Sequence, residues 1–184
     1  DTQGYHRELF PCTRKNMRAD FAVFILSYGR AENVVTYETL KRGGYTGKIY
    51  LVCSDDDMQL EEYKKKYEVI VINKDKALEK FDICDNFKQK NVVVFARNEC
   101  HRIAKEIGVK YFLELDDDYN TIEYKIPRDI LVARRVLDLD KLFNEYINFL
   151  EESGAVSVAF GQGGDYIGGK DNDFYTNNGR RRKV

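Results

Sequence analysis

The chain has 184 residues, of which 43% are hydrophobic and 33% are charged, a composition typical of one folded domain. Its 30 lysines and arginines nearly balance 31 aspartates and glutamates. This balance argues against a globally basic nucleic-acid-binding protein and leaves only a local basic patch open. No apolar run approaches the roughly 20 residues of a membrane helix, and no signal peptide is visible. We therefore expect a cytoplasmic protein without a membrane partner.

The four cysteines do not form a recognisable metal or disulfide framework. They show no CxxC spacing and no zinc-type pairing with the two histidines, His6 and His101. Cys53 and Cys100 lie in apolar patterns, where a cysteine acts as a small hydrophobic residue. A reduced thiol state, as in the cytoplasm, is the expectation.

The first predicted elements alternate strand with helix. Residues 1–19 are polar and irregular, and we interpret them as an N-terminal arm outside the sheet. An unbroken apolar run over 21–26 predicts a strand that is buried on both faces, as in parallel sheets. A helix over about 31–40 and a second strand over 48–53 follow.

The segment 60–67 carries apolar side chains such as Tyr63 at helical spacing, which predicts a second helix. Asp56 or Asp57 can act as its N-cap, because a carboxylate accepts hydrogen bonds from the free amides of a first turn. Alternatively, one of Asp55, Asp56 and Asp57 binds a ribose or a base edge, as acidic residues do at strand ends in nucleotide-binding folds. Both interpretations stay open at this point.

The middle of the chain contains its clearest helical pattern. A strand is predicted over 69–72, whereas 73–91 shows no clear pattern. Apolar residues over 100–107 follow the spacing of an amphipathic helix, and Gly108 is placed to end it. The strand predicted over 111–115 leads directly into three consecutive aspartates.

A last helix is predicted over 139–150, with Asp138 near its start and Gly154 just past its end. The apolar run 155–160 predicts a further strand. Strands that alternate with helices imply right-handed crossovers and a mostly parallel sheet. We therefore predict an α/β fold with one domain over 20–184.

Three predicted strands end in conspicuous polar groups, at 27–30, 54–57 and 116–118. In an open parallel sheet, ligands bind beyond the carboxyl ends of the strands. The three groups are therefore expected to converge on one edge of the sheet.

The aspartates of 116–118 repel one another unless a cation or hydrogen-bond donors offset their charge. Side chains alternate along a strand, so Asp116 and Asp118 can share a side. Two oxygen ligands with open positions suit magnesium or manganese, with water and a diphosphate in the remaining positions. The alternative is a solvated acidic turn that caps the next segment.

Two arginines lie beside these groups. Arg30 and Arg97 suit bidentate phosphate contact, and Arg97 is placed near a predicted helix start, where free amides also favour anions. The alternative is a pair of surface arginines in ordinary ion pairs.

The tail contains a glycine-rich stretch over 161–169, which lacks the GK[ST] ending of a Walker loop. It can close over a ligand or serve as a plain connection. Asp165 within it is a candidate catalytic base by position. The cluster Arg180–Lys183 can contact a polyanion or form a frayed end.

Taken in order, these motifs resemble the GT-A glycosyltransferases, and most closely the TET-associated glycosyltransferase group of phages and bacteria. The likeness covers about residues 20–183 and rests on five pieces: 24–30, 44–47, the Asp55–Asp57 group, 96–98 and 111–119. The resemblance implies a Rossmann-like GT-A nucleotide-sugar-binding domain. Because GT-A enzymes usually continue with an acceptor site, the domain is expected to stop short of that side.

The resemblance also implies roles for individual residues. Asp116 and Asp118 would form the DxD motif, which binds Mn²⁺ or Mg²⁺ and the diphosphate of the donor. The uridine would contact Asp55 or Asp56, together with Arg30 and Arg97. The remaining residues expected at the nucleotide-sugar site are Ser27, Gly29 and Asp117.

The expected function is metal-dependent transfer of a sugar from a nucleotide sugar, such as a UDP-sugar, to a hydroxyl. By resemblance, the acceptor is a hydroxymethylated pyrimidine in DNA. One alternative is a nucleotidyltransferase of similar fold, which would release pyrophosphate. Another is a non-catalytic binding module, whose salt-sensitive DNA binding would survive Asp118→Ala.

Overall fold

The structure, a computed structural model, describes residues 16–79, 93–127 and 131–161. Asp165, the rest of the glycine-rich stretch after Gly161, and Arg180–Lys183 lie outside the described residues. Within the described ranges the elements follow in this order: β1 (Phe21–Leu26), α1 (Val35–Arg42), β2 (Lys48–Ser54), α2 (Leu60–Lys66), β3 (Val69–Ile72), α3 (Lys74–Leu78), α4 (Val94–Ile107), β4 (Tyr111–Asp116), β5 (Glu123–Pro127), β6 (Leu131–Arg135) and α5 (Leu139–Ser153).

The central sheet has four parallel strands in the order β3-β2-β1-β4. Leu26 at the end of β1 pairs with Val52 on one side and with Asp116 on the other. The strands therefore end at a common level, and β1 lies in the middle. This arrangement confirms the predicted α/β, Rossmann-like fold and brings the three polar strand ends to one edge.

Strand β1 is buried on both faces, as its apolar run predicted. On one face, Val23 and Ile25 pack in a cluster that includes Phe143 of α5. On the other, Phe24 packs in a cluster with Ile103 of α4. The two layers of helices leave the strand ends as the polar edge of the sheet.

Buried cysteines behave as the sequence predicted. Cys53 and Cys100 are free thiols without solvent exposure. Burial raises the pKa of Cys53 to about 12, so this thiol stays protonated and unreactive at neutral pH.

The last helix, α5, was predicted closely. The Asp138 carboxylate caps it by accepting a hydrogen bond from the amide of Lys141 at 2.9 Å. Gly154 ends it with a φ of 68°, a left-handed conformation that suits glycine. Gly108 ends α4 in the same way, with a φ of 73°.

Two predicted helix starts were wrong. Helix α1 begins at Val35 rather than near Ala31, since the preceding residues form a turn in which the amide of Asn33 bonds the carbonyl of Arg30 at 2.9 Å. The N-cap of α2 is Gln59 rather than Asp56 or Asp57. The Asp57 carboxylate instead accepts a hydrogen bond from the amide of Gln59 at 2.8 Å.

The predicted start of α4 was also wrong. The helix begins at Val94, and the amide of Arg97 is already bonded to the carbonyl of Val93 at 3.1 Å. Arg97 therefore offers an anion its guanidinium and not a free backbone amide.

The strand predicted over 155–160 is absent from the described structure, where these residues form no strand ladder. Val156 is fully exposed, and Phe160 packs against Tyr146 with ring centroids 5.0 Å apart. An apolar run becomes a strand only where a partner edge accepts its hydrogen bonds. The antiparallel pair β5–β6 and the short helix α3 were not predicted.

The described helices include none that is both long enough and apolar enough to cross a membrane.

The arm residue Arg18 fastens the start of β1. Its guanidinium forms two 2.8 Å hydrogen bonds with the carboxylate of Asp20 and a third, at 3.2 Å, with Glu151. The Arg18 side chain is 15% exposed and that of Asp20 is 38% exposed. The bond from Arg18 lowers the pKa of Asp20.

We expect Asp20→Asn to lower the free energy of unfolding by about 0.5–1 kcal/mol near neutral pH, a value reduced for solvent screening of a partly exposed pair. Because the folded-state pKa lies below the ordinary 3.8, the stabilisation is present above that value and is lost as the pH falls through the lowered pKa. Urea unfolding of both proteins between neutral pH and about pH 3 measures this. If the difference in the free energy of unfolding between the two proteins stays constant or grows on acidification, the stabilising role assigned to the Asp20 carboxylate is contradicted.

Candidate functional site

The polar edge of the sheet is organised around Asp117, whose side chain is buried. Ser27 donates a hydrogen bond to its Oδ2 atom at 2.6 Å, and an Nη1 hydrogen of Arg30 bonds Oδ1 at 2.7 Å. The Ser27 hydroxyl also lies 2.7 Å from the hydroxyl of Tyr63. The end of β1 is thereby tied to the end of β4, and the buried carboxylate has a cationic partner.

Three consecutive amides after β1 are held by the chain that follows β2. The amide of Gly29 donates to Oδ2 of Asp57 at 2.8 Å, and that of Arg30 donates to the Tyr63 hydroxyl at 2.7 Å. The amide of Ala31 donates to Oε1 of Gln59, also at 2.8 Å. This loop therefore has no run of free amides for a phosphate, and it is held rigidly instead.

Gly29 has a φ of 67°, in the left-handed region that side chains disfavour. An added Cβ would meet no atom within 4 Å. The requirement for glycine at this predicted site residue is therefore conformational and is not caused by crowding.

The acidic turn 116–118 is fastened to the start of α1. Thr36 donates from its hydroxyl to the carbonyl of Asp116 at 2.6 Å and from its amide to the carbonyl of Asp117 at 3.1 Å. The same hydroxyl accepts a hydrogen bond from the amide of Tyr119 at 2.9 Å. Because β4 ends at Asp116, the turn no longer follows the strict alternation of a strand.

The three carboxylates of the turn have different environments. Arg97 bonds Asp116 through Nη2 at 2.6 Å. Arg30 joins the other two, at 2.7 Å from Asp117 and 3.7 Å from Asp118. Side-chain exposure is 43% for Asp116, 8% for Asp117 and 67% for Asp118. Asp116 and Asp118 are thus the members of the turn that a ligand can reach.

Glu114 lies two residues before Asp116 on β4, and its carboxylate supports Arg97. Its Oε2 atom lies 3.5 Å from Nη1 of Arg97. Burial raises the pKa of Glu114, against the opposing pull of Arg97. Arg97 therefore lies between a half-buried acid and the acidic turn, with 35% of its side chain exposed.

The aspartates after β2 are engaged with the residues after β3. Asp55 accepts hydrogen bonds from Nδ2 of Asn73 at 2.6 Å and from the amide of Lys74 at 3.2 Å. Asp56 forms a 2.9 Å ion pair with Nζ of Lys74 and keeps 46% side-chain exposure. Both aspartates are exposed, and each is bonded to the segment that follows β3.

Sequence reasoning assigned no role to Tyr28, which is 56% exposed at the end of β1. Nζ of Lys74 lies 5.6 Å from the centre of its ring. The signal was available, because Tyr28 is part of the polar group 27–30. An exposed aromatic ring beside a cation is a surface on which a planar base can stack.

The structure thus places Ser27, Gly29, Arg30, Asp116 and Asp117 in one bonded network, and Arg97 joins it through Asp116. Asp55 and Asp56 lie at the same edge of the sheet, on the side of β3. Among the described residues, no group of three or more His, Cys, Asp or Glu side chains is arranged to hold a metal ion. The nucleotide, metal and catalytic roles of these residues remain predictions, including that of Asp165 outside the described residues.

Comparison with known proteins identifies the family. The sequence model of the TET-associated glycosyltransferases matches residues 21–180, which includes every strand of the central sheet and the whole polar edge. No curated protein and no solved structure matches the chain significantly. The chain therefore belongs to the TET-associated glycosyltransferase family, and it is a glycosyltransferase.

Proposed function

We propose that this glycosyltransferase moves a sugar from a UDP-sugar to a hydroxyl acceptor in a reaction that depends on Mn²⁺ or Mg²⁺. The observation that carries the proposal is the acidic turn 116–118 with Arg30 on one side and Arg97 on the other. Carboxylates and guanidinium groups that lie together at the carboxyl edge of a parallel sheet suit a ligand combining a cation with a diphosphate.

The donor set supports a divalent cation. Asp116 and Asp118 offer carboxylate oxygens, the ligand type that Mg²⁺ and Mn²⁺ prefer, and both side chains are accessible. Two protein carboxylates leave coordination positions for a diphosphate and for water, so a third acidic ligand is not required. When bound, the cation would offset the negative charge of the leaving diphosphate.

Arg30 and Arg97 would bind and orient the diphosphate through their guanidinium groups. Both are held in place by acids beneath them, Arg30 by buried Asp117 and Arg97 by Glu114. Ser27 and Gly29 would act by fixing the loop that carries Arg30, since the Ser27 hydroxyl and the Gly29 amide are already bonded. The uracil would stack on Tyr28, with Asp56 or Asp55 at its polar edge.

For the acceptor, we propose the hydroxymethyl group of a modified pyrimidine in DNA. The acceptor oxygen would attack the anomeric carbon of the sugar as a carboxylate takes its proton. Asp165, in the glycine-rich stretch 161–169, is the proposed base. The bond from the anomeric carbon to the diphosphate breaks, and UDP leaves.

Calorimetric titration tests the donor site. UDP, UDP-glucose and UDP-N-acetylglucosamine are titrated into the full chain with and without Mn²⁺, and into Asp116→Asn/Asp118→Asn. The matched control is Glu106→Gln/Glu152→Gln, which removes the same charge near the ends of α4 and α5. We expect Mn²⁺-dependent binding in wild type and control, and a loss of at least about tenfold in the aspartate variant.

The reaction products separate the proposal from its rivals. Release of UDP with a glycosylated hydroxymethyl-DNA product supports it, whereas release of pyrophosphate would assign a nucleotidyltransferase. Metal-independent donor binding, or equal binding by the Asp116→Asn/Asp118→Asn variant, would overturn the proposed metal site.

A further inference from the structure

Three arginines of the described structure have no acidic partner. Seven arginines lie in the described ranges, and four of them form ion pairs with Asp or Glu: Arg18, Arg30, Arg97 and Arg102. Arg42, Arg134 and Arg135 form none with any described residue, and all three are exposed. In a chain with slightly more acids than bases, unpaired arginines close together indicate a surface for an external anion.

Two of these arginines line the same small pocket. Arg42 at the end of α1 and Arg135 at the end of β6 face it together with Asn120 and Thr121. The Arg42 guanidinium is held by the Thr39 hydroxyl at 3.0 Å and by the Asn120 carbonyl at 3.3 Å. The first of these bonds fixes the guanidinium against its own helix, so little side-chain freedom would be lost when an anion binds.

The acid opposite Arg135 is already engaged. Glu123, which pairs in register with Arg135, is bonded to Lys125 at 2.8 Å. Two guanidinium groups thus remain for a ligand that has oxygen acceptors and negative charge, as a phosphate group does.

The pocket is close to the acidic turn. Thr36 bonds that turn, and Thr39, three residues further along α1, lines the pocket. At 1.5 Å per residue the two lie roughly 5 Å apart along the helix. This is the span of one or two nucleotide steps of about 3.4 Å, so a ligand with its reacting group at the turn can place a neighbouring phosphate at the mouth of the pocket.

We propose that Arg42 and Arg135, at the mouth of the pocket, bind one backbone phosphodiester of a nucleic-acid acceptor, next to the nucleotide that receives the sugar. The proposal rests on the nucleic-acid acceptor proposed above and adds the residues that dock it. Arg134 does not belong to the pocket. It neighbours Arg135 on β6, where successive side chains point to opposite faces, and it does not line the pocket.

Arg134 therefore provides a matched control. Fluorescence anisotropy measures the binding of a labelled single-stranded DNA of about 12 nucleotides to the full chain over a series of KCl concentrations. The variants are Arg135→Ala and, as control, Arg134→Ala. We expect Arg135→Ala to raise Kd at least about fivefold and to reduce the salt slope by roughly 0.7, the value for one lost contact to a single strand.

Arg134→Ala is expected to change Kd less than about twofold. Equal weakening by Arg134→Ala and Arg135→Ala would assign the binding to net charge and overturn the pocket. Arg42→Ala is a supporting variant, with urea unfolding to show that it folds. Inorganic phosphate at matched ionic strength should compete weakly; full displacement of the DNA by it would overturn the nucleic-acid assignment.

Donor titrations on the same proteins separate the two proposals. UDP binding that stays unchanged in Arg135→Ala while DNA binding falls supports the docking pocket. DNA binding that is equal in wild type and Arg135→Ala would overturn the pocket and leave the glycosyl transfer untouched. If the wild-type protein does not bind UDP, the proposed donor site is contradicted, whatever the affinity of the protein for DNA.

Discussion

Replacing Asp140 by alanine is expected to lower the free energy of unfolding by about 3 kcal/mol. This carboxylate, at the start of α5, is 2% exposed. It accepts hydrogen bonds from the amide of Thr46 at 2.9 Å, from the amide of Met17 at 3.1 Å and from the Thr46 hydroxyl. It therefore joins the last described helix to the turn before β2 and to the N-terminal arm.

The cost arises because alanine removes the acceptor and leaves the donors in place. Hydrogen bonds to a charged group contribute more than neutral ones, and unsatisfied donors away from water add a penalty. Asp138→Ala is the comparison, since this exposed N-cap, two residues earlier, holds one amide and should cost about 1 kcal/mol. Urea unfolding measures both, and equal losses would show that the Asp140 bonds contribute little.

The sheet could be predicted from the sequence because its signal is local. The run at 21–26 is apolar at every position, and the structure buries each of these residues. The run at 155–160 is similar in composition yet forms no described strand. The two runs differ in their neighbours, because β1 has a hydrogen-bonded strand on each side. Whether a run finds such a strand elsewhere in the chain is not encoded in the run itself.

The position of the site could also be predicted, because parallel strands that end in polar groups must bring those groups to one edge. The role of each residue within the site could not be predicted. Tyr63 was predicted as an apolar helix position, and it is indeed fully buried. Its hydroxyl, however, binds Ser27 and the amide of Arg30, contacts that depend on how α2 packs against the end of β1.

The same limit applies to the acidic turn. Alternation along a strand predicted that Asp116 and Asp118 share a side, but β4 ends at Asp116 and the next two residues form a turn. Sequence alone set Asp116 and Asp118 apart from Asp117, but it did not say which carboxylate is buried. Only the approach of Ser27 and Arg30 from the neighbouring strand shows which of them is buried.

Asp117→Ala and Asp118→Ala are therefore expected to differ sharply, although they lie side by side and remove the same charge. Asp117→Ala should lower the free energy of unfolding by about 2–3 kcal/mol, because Ser27 loses a buried charged acceptor. Its ion pair with Arg30 adds little, since the arginine side chain is 55% exposed. Asp118→Ala, at a 67% exposed side chain, should change stability by less than about 0.5 kcal/mol.

Donor binding should be affected more by Asp118→Ala than by Asp117→Ala, the reverse of the order expected for stability. Asp118→Ala removes a proposed metal ligand, so Mn²⁺-dependent binding of UDP should be lost in a protein of normal stability. Asp117→Ala keeps both proposed ligands but releases Arg30, so binding should weaken by roughly tenfold and retain its dependence on Mn²⁺. Urea unfolding and UDP calorimetry on the two proteins measure this. If Asp117→Ala alone lost the metal dependence, the buried residue would be the metal ligand. If Asp118→Ala were the less stable variant, the structural role assigned to Asp117 would be wrong.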